Sequence, residues 1–376
     1  MLRRATRFLR RHRRAIILGA VTGAVAAGVV HARRGLNRAM AALHEAENRI
    51  LEEHRRQHHL ARIRRECDEA LLRFIASLSS SLNSHFSEET SLVHRLKALR
   101  QSGCSDSSKQ QELWTELKVM AFTHFMVGYY SFNLLHMVIR IQMHILGRYN
   151  FLRTSNTSFA EEGSATDAES SPFSREVRGE FLSLTYNYLL GDGLRSLAET
   201  LTPIVAEVLA DCDHTKRLDC STVLALLRHM REKFDDSGAG YRVPSPLVNY
   251  VMLPDHTLKT ACPAAQEMLN ETWDVVESPH FAEAMGSVLD KSLGVLADQL
   301  SRNVFVHAPK KPEDEGRSSN APASKPVASL LMQLKPSKTV LVVEGDQPLH
   351  AEATRQLPAV CNLCEAVFDS EHASEE

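Results

Sequence analysis

The sequence predicts an all-α protein: a long-helix bundle forming one cytosolic domain, with a single N-terminal membrane-anchor helix. Two observations carry this prediction. Apolar residues recur at spacings of three and four through most of the chain. One uncharged segment near the N-terminus is flanked by Arg on both sides. The 376 residues are 43% hydrophobic, an ordinary value for a globular protein, so a sizeable core is expected.

The N-terminal region is strongly basic. The first 65 residues contain sixteen Arg and four Glu, a net charge of +12, whereas the rest contains 28 basic and 42 acidic residues, a net charge of −14. A basic head on an acidic body favours contact with an anionic surface, either a membrane or a nucleic acid. The uncharged segment that follows the first Arg cluster favours the membrane, so no nucleic-acid partner is expected.

Residues 1–14 form a basic leader, and residues 15–31 are predicted to be the transmembrane anchor. As a helix, the sixteen residues from Ala15 to Val30 rise about 24 Å, which is short of a hydrocarbon core of about 30 Å. A cleaved targeting peptide and a soluble helix are therefore alternatives. The apolar residues expected to contact lipid are Ala15, Ile16, Ile17, Leu18, Val21, Val25, Val29 and Val30.

The cysteines favour a reducing compartment for the large body. Their number is odd and most are scattered singly, which does not make a disulfide framework. The excess of Arg before the anchor would instead place the short N-terminus in the cytosol, so the residues alone leave the orientation open. The seven cysteines are Cys67, Cys104, Cys212, Cys220, Cys262, Cys361 and Cys364.

Beyond the anchor, the chain reads as helices separated by a few loops. Residues 32–65 are predicted to be a polar connecting helix, and residues 66–370 the helical domain, followed by a tail at 371–376. Two Ser-rich, charged segments, at about 154–176 and 309–338, are predicted to be disordered loops because they have little to bury.

The most hydrophobic segment of the body runs from Leu113 to Leu146. Between Val119 and Leu146 its only full charge is Arg140, so a second membrane span is an alternative to a buried helix. Polar side chains interrupt the segment at short intervals, and each would need a partner in lipid. We therefore expect a long central helix wrapped by other helices. The interrupting residues are Thr123, His124, Ser131, Asn133, His136, Gln142 and His144.

Motifs for catalysis are absent from the sequence. There is no GxSxG, HExxH or P-loop pattern, and the Gly-Asp-Gly run at 191–193 lacks the third glycine of a dinucleotide fingerprint. His350 with Cys361 and Cys364 superficially resembles a zinc deaminase signature, but the spacing does not fit. The two cysteines lie instead on the apolar face of a helix. The sequence therefore predicts no enzyme, no metal site and no cofactor.

Several segments, taken in order, resemble one known family. They are "MLRRATRFLRRHRRAIILG", "ELWTELKVMAFTHFMVGYYSFNLLHMVIRIQMHILGRY", "YNYLLGDGLRSLAETLTPIVAEVL", "LNETWDVVESPHF" and "VCNLCEAVFDS". Each motif is weak alone, but the ordered set is specific and spans nearly the whole chain apart from the two loops. The chain resembles the peroxisomal biogenesis factor 3, or peroxin-3, family.

The resemblance implies a non-enzymatic, single-pass protein of the peroxisomal membrane, with a luminal N-terminus and a large cytosolic domain. Its partners would be the lipids of that membrane and the farnesylated shuttle receptor, which delivers newly made peroxisomal membrane proteins. The resemblance also allows transit through the endoplasmic reticulum and binding of autophagy or inheritance adaptors. The alternative is a tether of mitochondria or reticulum with no import role, because Arg-rich leaders also address mitochondria.

The family's docking helix begins with a tryptophan, which Trp114 in "ELWTELK" matches. The resemblance implies that this indole protrudes into a water-facing cleft and receives the N-terminal amphipathic helix of the shuttle receptor, while Lys118 meets an acidic partner. The alternative is a Trp114 packed wholly inside the domain. The expected docking residues are Trp114, Leu113, Leu117, Lys118, Leu96 and Leu99.

Overall fold

The structure, a computed structural model, describes the backbone of residues 2–101, 107–157, 175–238, 240, 246–254, 262–305 and 324–370. Within these ranges, the side chains of residues 2–30, 32, 100, 107 and 153–157 lie outside the description. The described part is mostly helical, as expected.

The helices occur along the chain in the following order. They are α1 (Leu2–His85), α2 (Glu88–Gln101), α3 (Ser107–Thr157), α4 (Arg175–Tyr188), α5 (Leu194–Val208), α6 (Cys220–Asp236), α7 (Val248–Val251), α8 (Pro263–Glu277), α9 (Pro279–Gln299), α10 (Val327–Leu330), α11 (Leu349–Thr354) and α12 (Pro358–Asp369). Two π-helical turns, Leu189–Gly193 and Leu300–Val304, precede α5 and follow α9.

The chain divides into two compact units, Met1–Ala61 and Arg62–Glu376. The first unit is the N-terminal part of α1, which continues without a break through the region 32–65 predicted to be a connecting helix. The unit boundary lies a few residues before the predicted start of the domain at residue 66. Several large apolar side chains of the first unit are exposed: Leu36, Met40, Leu43, Ile50 and Leu51.

Helix α3 is the centre of the second unit. Every residue from Ala121 to Gln142 is buried, and α3 packs against α2, α5, α8, α9 and α12. The helix is therefore surrounded by protein on all sides over about six turns. This confirms the prediction of a long central helix for the segment from Leu113 to Leu146.

Most polar side chains inside α3 have partners within the protein. Asn133 donates to the carbonyl of Tyr129 at 2.8 Å, and Gln142 donates to Thr185 on α4 at 3.0 Å. Arg140 forms an ion pair with Asp68 on α1 at 3.0 Å. Buried polar groups that are hydrogen-bonded do not carry the full cost of leaving water, which explains how a helix with this composition can lie in a core.

Helix α9 begins at a Ser-Pro pair. Ser278 is the N-cap, and its Oγ accepts a hydrogen bond from the backbone N–H of Phe281 at 3.2 Å. Pro279 occupies the first turn, where its missing N–H costs nothing.

The predicted disorder of 309–338 is wrong for residues 324–338. Strand β1 (Arg217–Asp219) pairs antiparallel with β2 (Ser324–Pro326), and α10 follows directly. Leu331 and Leu334 are buried, so this short apolar run is held by the core. Residues 306–323 and 158–174 lie outside the described part. A short hairpin pairs β3 (Val343–Glu344) with β4 (Gln347–Pro348).

The region predicted to be the membrane anchor, 15–31, is helical within α1. The side chains of its named residues Ala15, Ile16, Ile17, Leu18, Val21, Val25, Val29 and Val30 lie outside the description. A search of the described residues finds no helix with both the length and the apolar character that crossing a bilayer requires.

Candidate docking cleft

A small cleft lies between α2, the first turns of α3 and the segment that follows β2. Its volume is about 130 Å³. It is lined mainly by apolar side chains and also by the charged side chains of Glu89 and Lys97. The lining residues are Glu89, Val93, Leu96, Lys97, Trp114, Leu117, Ala328, Leu331 and Met332.

Trp114 forms one wall of this cleft but does not protrude from it. The residue is only 9% exposed. Its indole stacks on the imidazole of His214 with ring centroids 5.2 Å apart and planes 5° from parallel. The expectation of a protruding ring is therefore wrong. The ring is buried, as in the alternative, but one side of it lines the cleft.

Of the four leucines expected at the docking site, two line the cleft and two do not. Leu96 and Leu117 are buried and line the cleft from opposite helices, as expected for two of its walls. Leu113 is buried but does not line the cleft, and Leu99 on α2 is half-buried and also lies outside the lining.

Lys118 does not have the surface position that was expected. It is 5% exposed, and its Nζ donates to the backbone carbonyls of Leu209 at 2.8 Å and Cys212 at 2.5 Å. These carbonyls lie at the C-terminal end of α5, where helices leave acceptors unsatisfied and favour cations. Burial lowers the pKa of Lys118. The expectation that Lys118 meets an acidic partner is corrected, because the lysine caps a helix inside the protein.

Glu89 places a buried carboxylate at the inner end of the cleft. Its Oε2 lies 2.8 Å from Nδ1 of His124, and its Oε1 lies 3.2 Å from Nζ of Lys335. Burial acts to raise the pKa of Glu89, but the hydrogen bond with His124 and the charge of Lys335 outweigh it, so the pKa lies below its usual range. The carboxylate therefore stays ionised and ties α2 to α3 and to the segment after α10.

Six lining residues were missed by sequence reasoning: Glu89, Val93, Lys97, Ala328, Leu331 and Met332. Val93 lies three residues before Leu96 in "SLVHRLKALR", and Lys97 lies four residues after Val93, so the helical spacing of α2 could have indicated both. Lys97 is exposed at the edge of the cleft. Leu331 and Met332 gave no such signal, because they follow a polar segment that reads as disordered.

The described part of the chain offers no arrangement suited to a metal ion: no three His, Cys, Asp or Glu side chains come together as ligands. His350 is buried, with its Nδ1 2.7 Å from Oγ of Ser292 and its Nε2 3.3 Å from Gln299. The six described cysteines are free thiols.

Comparison with known proteins gives matches over most of the chain. The model of the Peroxin-3 family matches residues 74–364, which is more than half of the sequence. The chain belongs to the Peroxin-3 family. It is 27% identical to peroxisomal biogenesis factor 3 of Homo sapiens over 359 residues, covering 92% of this chain and 89% of that protein. It is 24% identical to peroxisome biogenesis protein 3-2 of Arabidopsis thaliana, covering 94% of this chain and 95% of that protein.

Membership of the Peroxin-3 family supports a role in peroxisome biogenesis and an association with peroxisomes. The matching proteins are named as biogenesis factors and not as enzymes. The family model begins at residue 74, within α1, and ends within α12, so it includes all the elements that line the cleft.

Proposed function

We propose that this Peroxin-3 family protein is a membrane-anchored docking receptor. Its ligand is the farnesylated shuttle receptor that delivers newly made peroxisomal membrane proteins. The N-terminal amphipathic helix of that receptor binds the cleft between α2 and α3. The observation that carries the proposal is the apolar cleft itself, which brings Trp114, Leu96 and Leu117 together at an opening to solvent.

The cleft suits an amphipathic helix for two reasons. Apolar walls from two helices accept side chains at helical spacing, which is the usual mode of helix-in-groove recognition. Lys97 at the edge offers a cation to an acidic residue on the polar face of the ligand. The cleft is small, so we expect one or two large apolar anchors to carry most of the affinity.

The first experiment measures binding of the receptor's N-terminal peptide to the full-length chain by calorimetry. Trp114→Ala is expected to weaken binding by about 2–4 kcal/mol, roughly 30- to 1000-fold. Because Trp114 also stacks on His214, the variant is checked for its helical content. An unchanged dissociation constant would refute the docking role.

A second pair of variants separates docking from folding. Met332 and Leu152 are apolar residues with similar exposure, 45% and 47%, but only Met332 lines the cleft. Met332→Asp is expected to weaken binding at least tenfold, because it places a charge against the apolar face of the ligand. Leu152→Asp is expected to leave the dissociation constant unchanged. Equal effects of the two variants would count against the cleft.

The basic leader and residues 15–31 are proposed to hold the domain at the peroxisomal membrane. Deletion of residues 1–34 is expected to move the chain from the membrane pellet to the supernatant. Persistent pelleting would mean that another part of the chain binds lipid. A fluorescent fusion of the full chain is expected to show a punctate peroxisomal pattern, whereas a tubular network would favour a tether of mitochondria or reticulum.

A further inference from the structure

A second groove lies on the opposite face of α3 from the docking cleft. It encloses about 800 Å³ between the end of α1, the first turns of α3, and α5, a volume typical of sites that hold ligands. Thr115 and Val119 line this groove, whereas Trp114 and Leu117 line the docking cleft. With 3.6 residues per turn, these pairs lie on opposite sides of one helix, so the groove is a separate surface.

The floor of the groove is apolar and long. Phe86, Val119, Met120 and Ala198 contribute to it from three different helices or their ends. The contributing face of α3 extends over residues 108–123, which is about 22 Å along the helix axis. A surface of this length accepts side chains from about four turns of a bound helix.

The edge of the groove is acidic. Glu112, Glu116 and Glu199 are exposed there, and none of the lining residues that the structure describes is Lys or Arg. His85 also lies at the edge, and both burial and the nearby charge of Arg195 lower its pKa, so it adds no positive charge at neutral pH. An apolar floor between three carboxylates is complementary to a ligand that is apolar on one face and basic on the other.

Thr123 provides an independent indication of a ligand. It lies at the inner end of the α3 face and is only 1% exposed. Its hydroxyl has no hydrogen-bond partner among the residues that the structure describes. Buried hydroxyl groups nearly always have a partner, so a polar group of the bound ligand would complete this site.

We propose that this groove binds a basic amphipathic helix of a partner protein. Apolar side chains of that helix fill the floor over Val119 and Met120, and its Lys or Arg residues pair with the carboxylates at the edge. The acidic edge disfavours an anionic phospholipid, because the carboxylates repel its headgroup. The same argument disfavours the chain's own segment 158–174, which is acidic.

The test uses the full-length chain in discs of phosphatidylcholine, with empty discs as the blank. The probe is a fluorescent helical peptide of leucine and lysine, with leucines at i, i+3, i+4 and i+7. Fluorescence anisotropy is expected to show saturable binding that weakens as salt is added. A peptide with the same leucines and glutamate for lysine is expected to bind at least tenfold more weakly.

Variants of the groove residues test whether the peptide binds in the groove. Glu112→Gln, Glu116→Gln and Glu199→Gln together are expected to weaken binding about tenfold, while the same change at exposed Glu232, Glu277 and Glu283 has no effect. Thr115→Arg puts a cation in the groove from an exposed position and is expected to weaken binding as well. Trp114→Ala is expected to leave it unchanged.

Four results would overturn the proposal: no saturable binding, equal affinity for the acidic peptide, equal effects of the two glutamine sets, or loss of binding in Trp114→Ala. A fifth result would also overturn it. In that case, native mass spectrometry would detect a phospholipid in the groove in place of the peptide, and Thr115→Arg would abolish its retention.

Discussion

Arg140 is a charged residue in the middle of a helix that is otherwise buried among apolar side chains. Its Nη2 donates to Oδ1 of Asp68 at 3.0 Å and its Nε to Nε2 of His136 at 2.6 Å. The other oxygen of Asp68 accepts from Arg355 at 3.0 Å. One carboxylate on α1 therefore neutralises guanidinium groups from two distant parts of the chain, and it ties α1 to α3.

Asp68→Ala is expected to lower the free energy of unfolding by about 3 kcal/mol, because a buried guanidinium loses its counter-charge. Urea unfolding of the full chain, followed by circular dichroism, measures this. The adjacent Glu69→Ala breaks an exposed pair with Arg73 and is expected to cost less than about 0.5 kcal/mol. Similar losses for Asp68 and Glu69 would contradict a structural role for the buried network.

Lys118→Met tests whether this buried lysine has a structural role inside the protein. It removes the donor to the carbonyls of Leu209 and Cys212 and is expected to cost about 2 kcal/mol of unfolding free energy. Affinity for the shuttle-receptor peptide is expected to stay unchanged. Lys233→Met, which removes a surface pair with Glu207, is the control and should cost less than about 1 kcal/mol. Weaker peptide binding in Lys118→Met would restore the partner role.

The candidate site was predictable from sequence only in part. The spacing of Trp114 and Leu117 gives one face of α3, and Lys118 lies on that same face. Helical spacing shows which side chains share a face, but not what covers that face. The carbonyls that bind Lys118 come from a residue range about 90 positions away, and a tertiary contact of that kind leaves no local signal.

At the scale of single elements, the π-helical turn Leu189–Gly193 depends on one glycine. A Cβ atom at Gly193 would collide with the backbone carbonyl oxygen of Tyr250 and approach the carbonyl carbon at 3.1 Å. Backbone atoms of α7 cannot move aside as a flexible side chain could. This close approach explains why a glycine stands at position 193 although the chain is helical on both sides of it.

Gly193→Ala is expected to destabilise the protein by at least about 2 kcal/mol, since either α7 or the turn must shift. Gly191→Ala is the matched control: a Cβ atom there meets nothing within 4 Å, and alanine favours helix over glycine by up to about 1 kcal/mol. The two variants should therefore change the urea midpoint in opposite directions. A loss of stability in both would mean that the turn itself, and not the contact with Tyr250, requires glycine.

The elements that the sequence predicted well are those with strong local signals. Helix α9 begins at a Ser-Pro pair. The apolar run of α3 is too long for a strand, so it had to be either a buried helix or a membrane-spanning helix. Proline usually bends or breaks a helix, yet α5 continues through Pro203. Residues 324–338 were missed because Lys, Pro and Ser dominate their composition, while the buried Leu331 and Leu334 gain their stability from distant helices.

At the scale of the whole molecule, the all-helical class followed from periodicity, while the grouping of helices did not. The order in which α2, α5, α8, α9 and α12 surround α3 depends on shape complementarity between faces, and one sequence contains no measure of that. The polar residues of α3 illustrate the difference. Their number argued correctly for burial in protein, but only the structure assigns the partners, such as Thr185 for Gln142.

The buried histidines make the stability of the whole protein depend on pH. Burial lowers the pKa of His144 and of His350 to about 4, whereas the unfolded chain binds these protons near the ordinary value of 6.5. The unfolded state therefore holds more protons between these pH values, and stability must fall as the pH decreases from about 6.5 to about 4. Each histidine contributes up to about 3 kcal/mol over this window.

Urea midpoints measured between pH 7.5 and pH 4.5 are expected to be flat above about pH 6.5 and to decrease steadily below it. His350→Gln should lower the midpoint at neutral pH, because Ser292 loses its hydrogen bond with the imidazole, but it should reduce the slope of the midpoint with pH. His280→Gln changes an exposed histidine on α9 and should leave the slope unchanged. Equal slopes for the unmodified chain and His350→Gln would mean that the proton-linked loss arises elsewhere, since a neutral glutamine cannot take up the proton that a histidine in the unfolded chain binds.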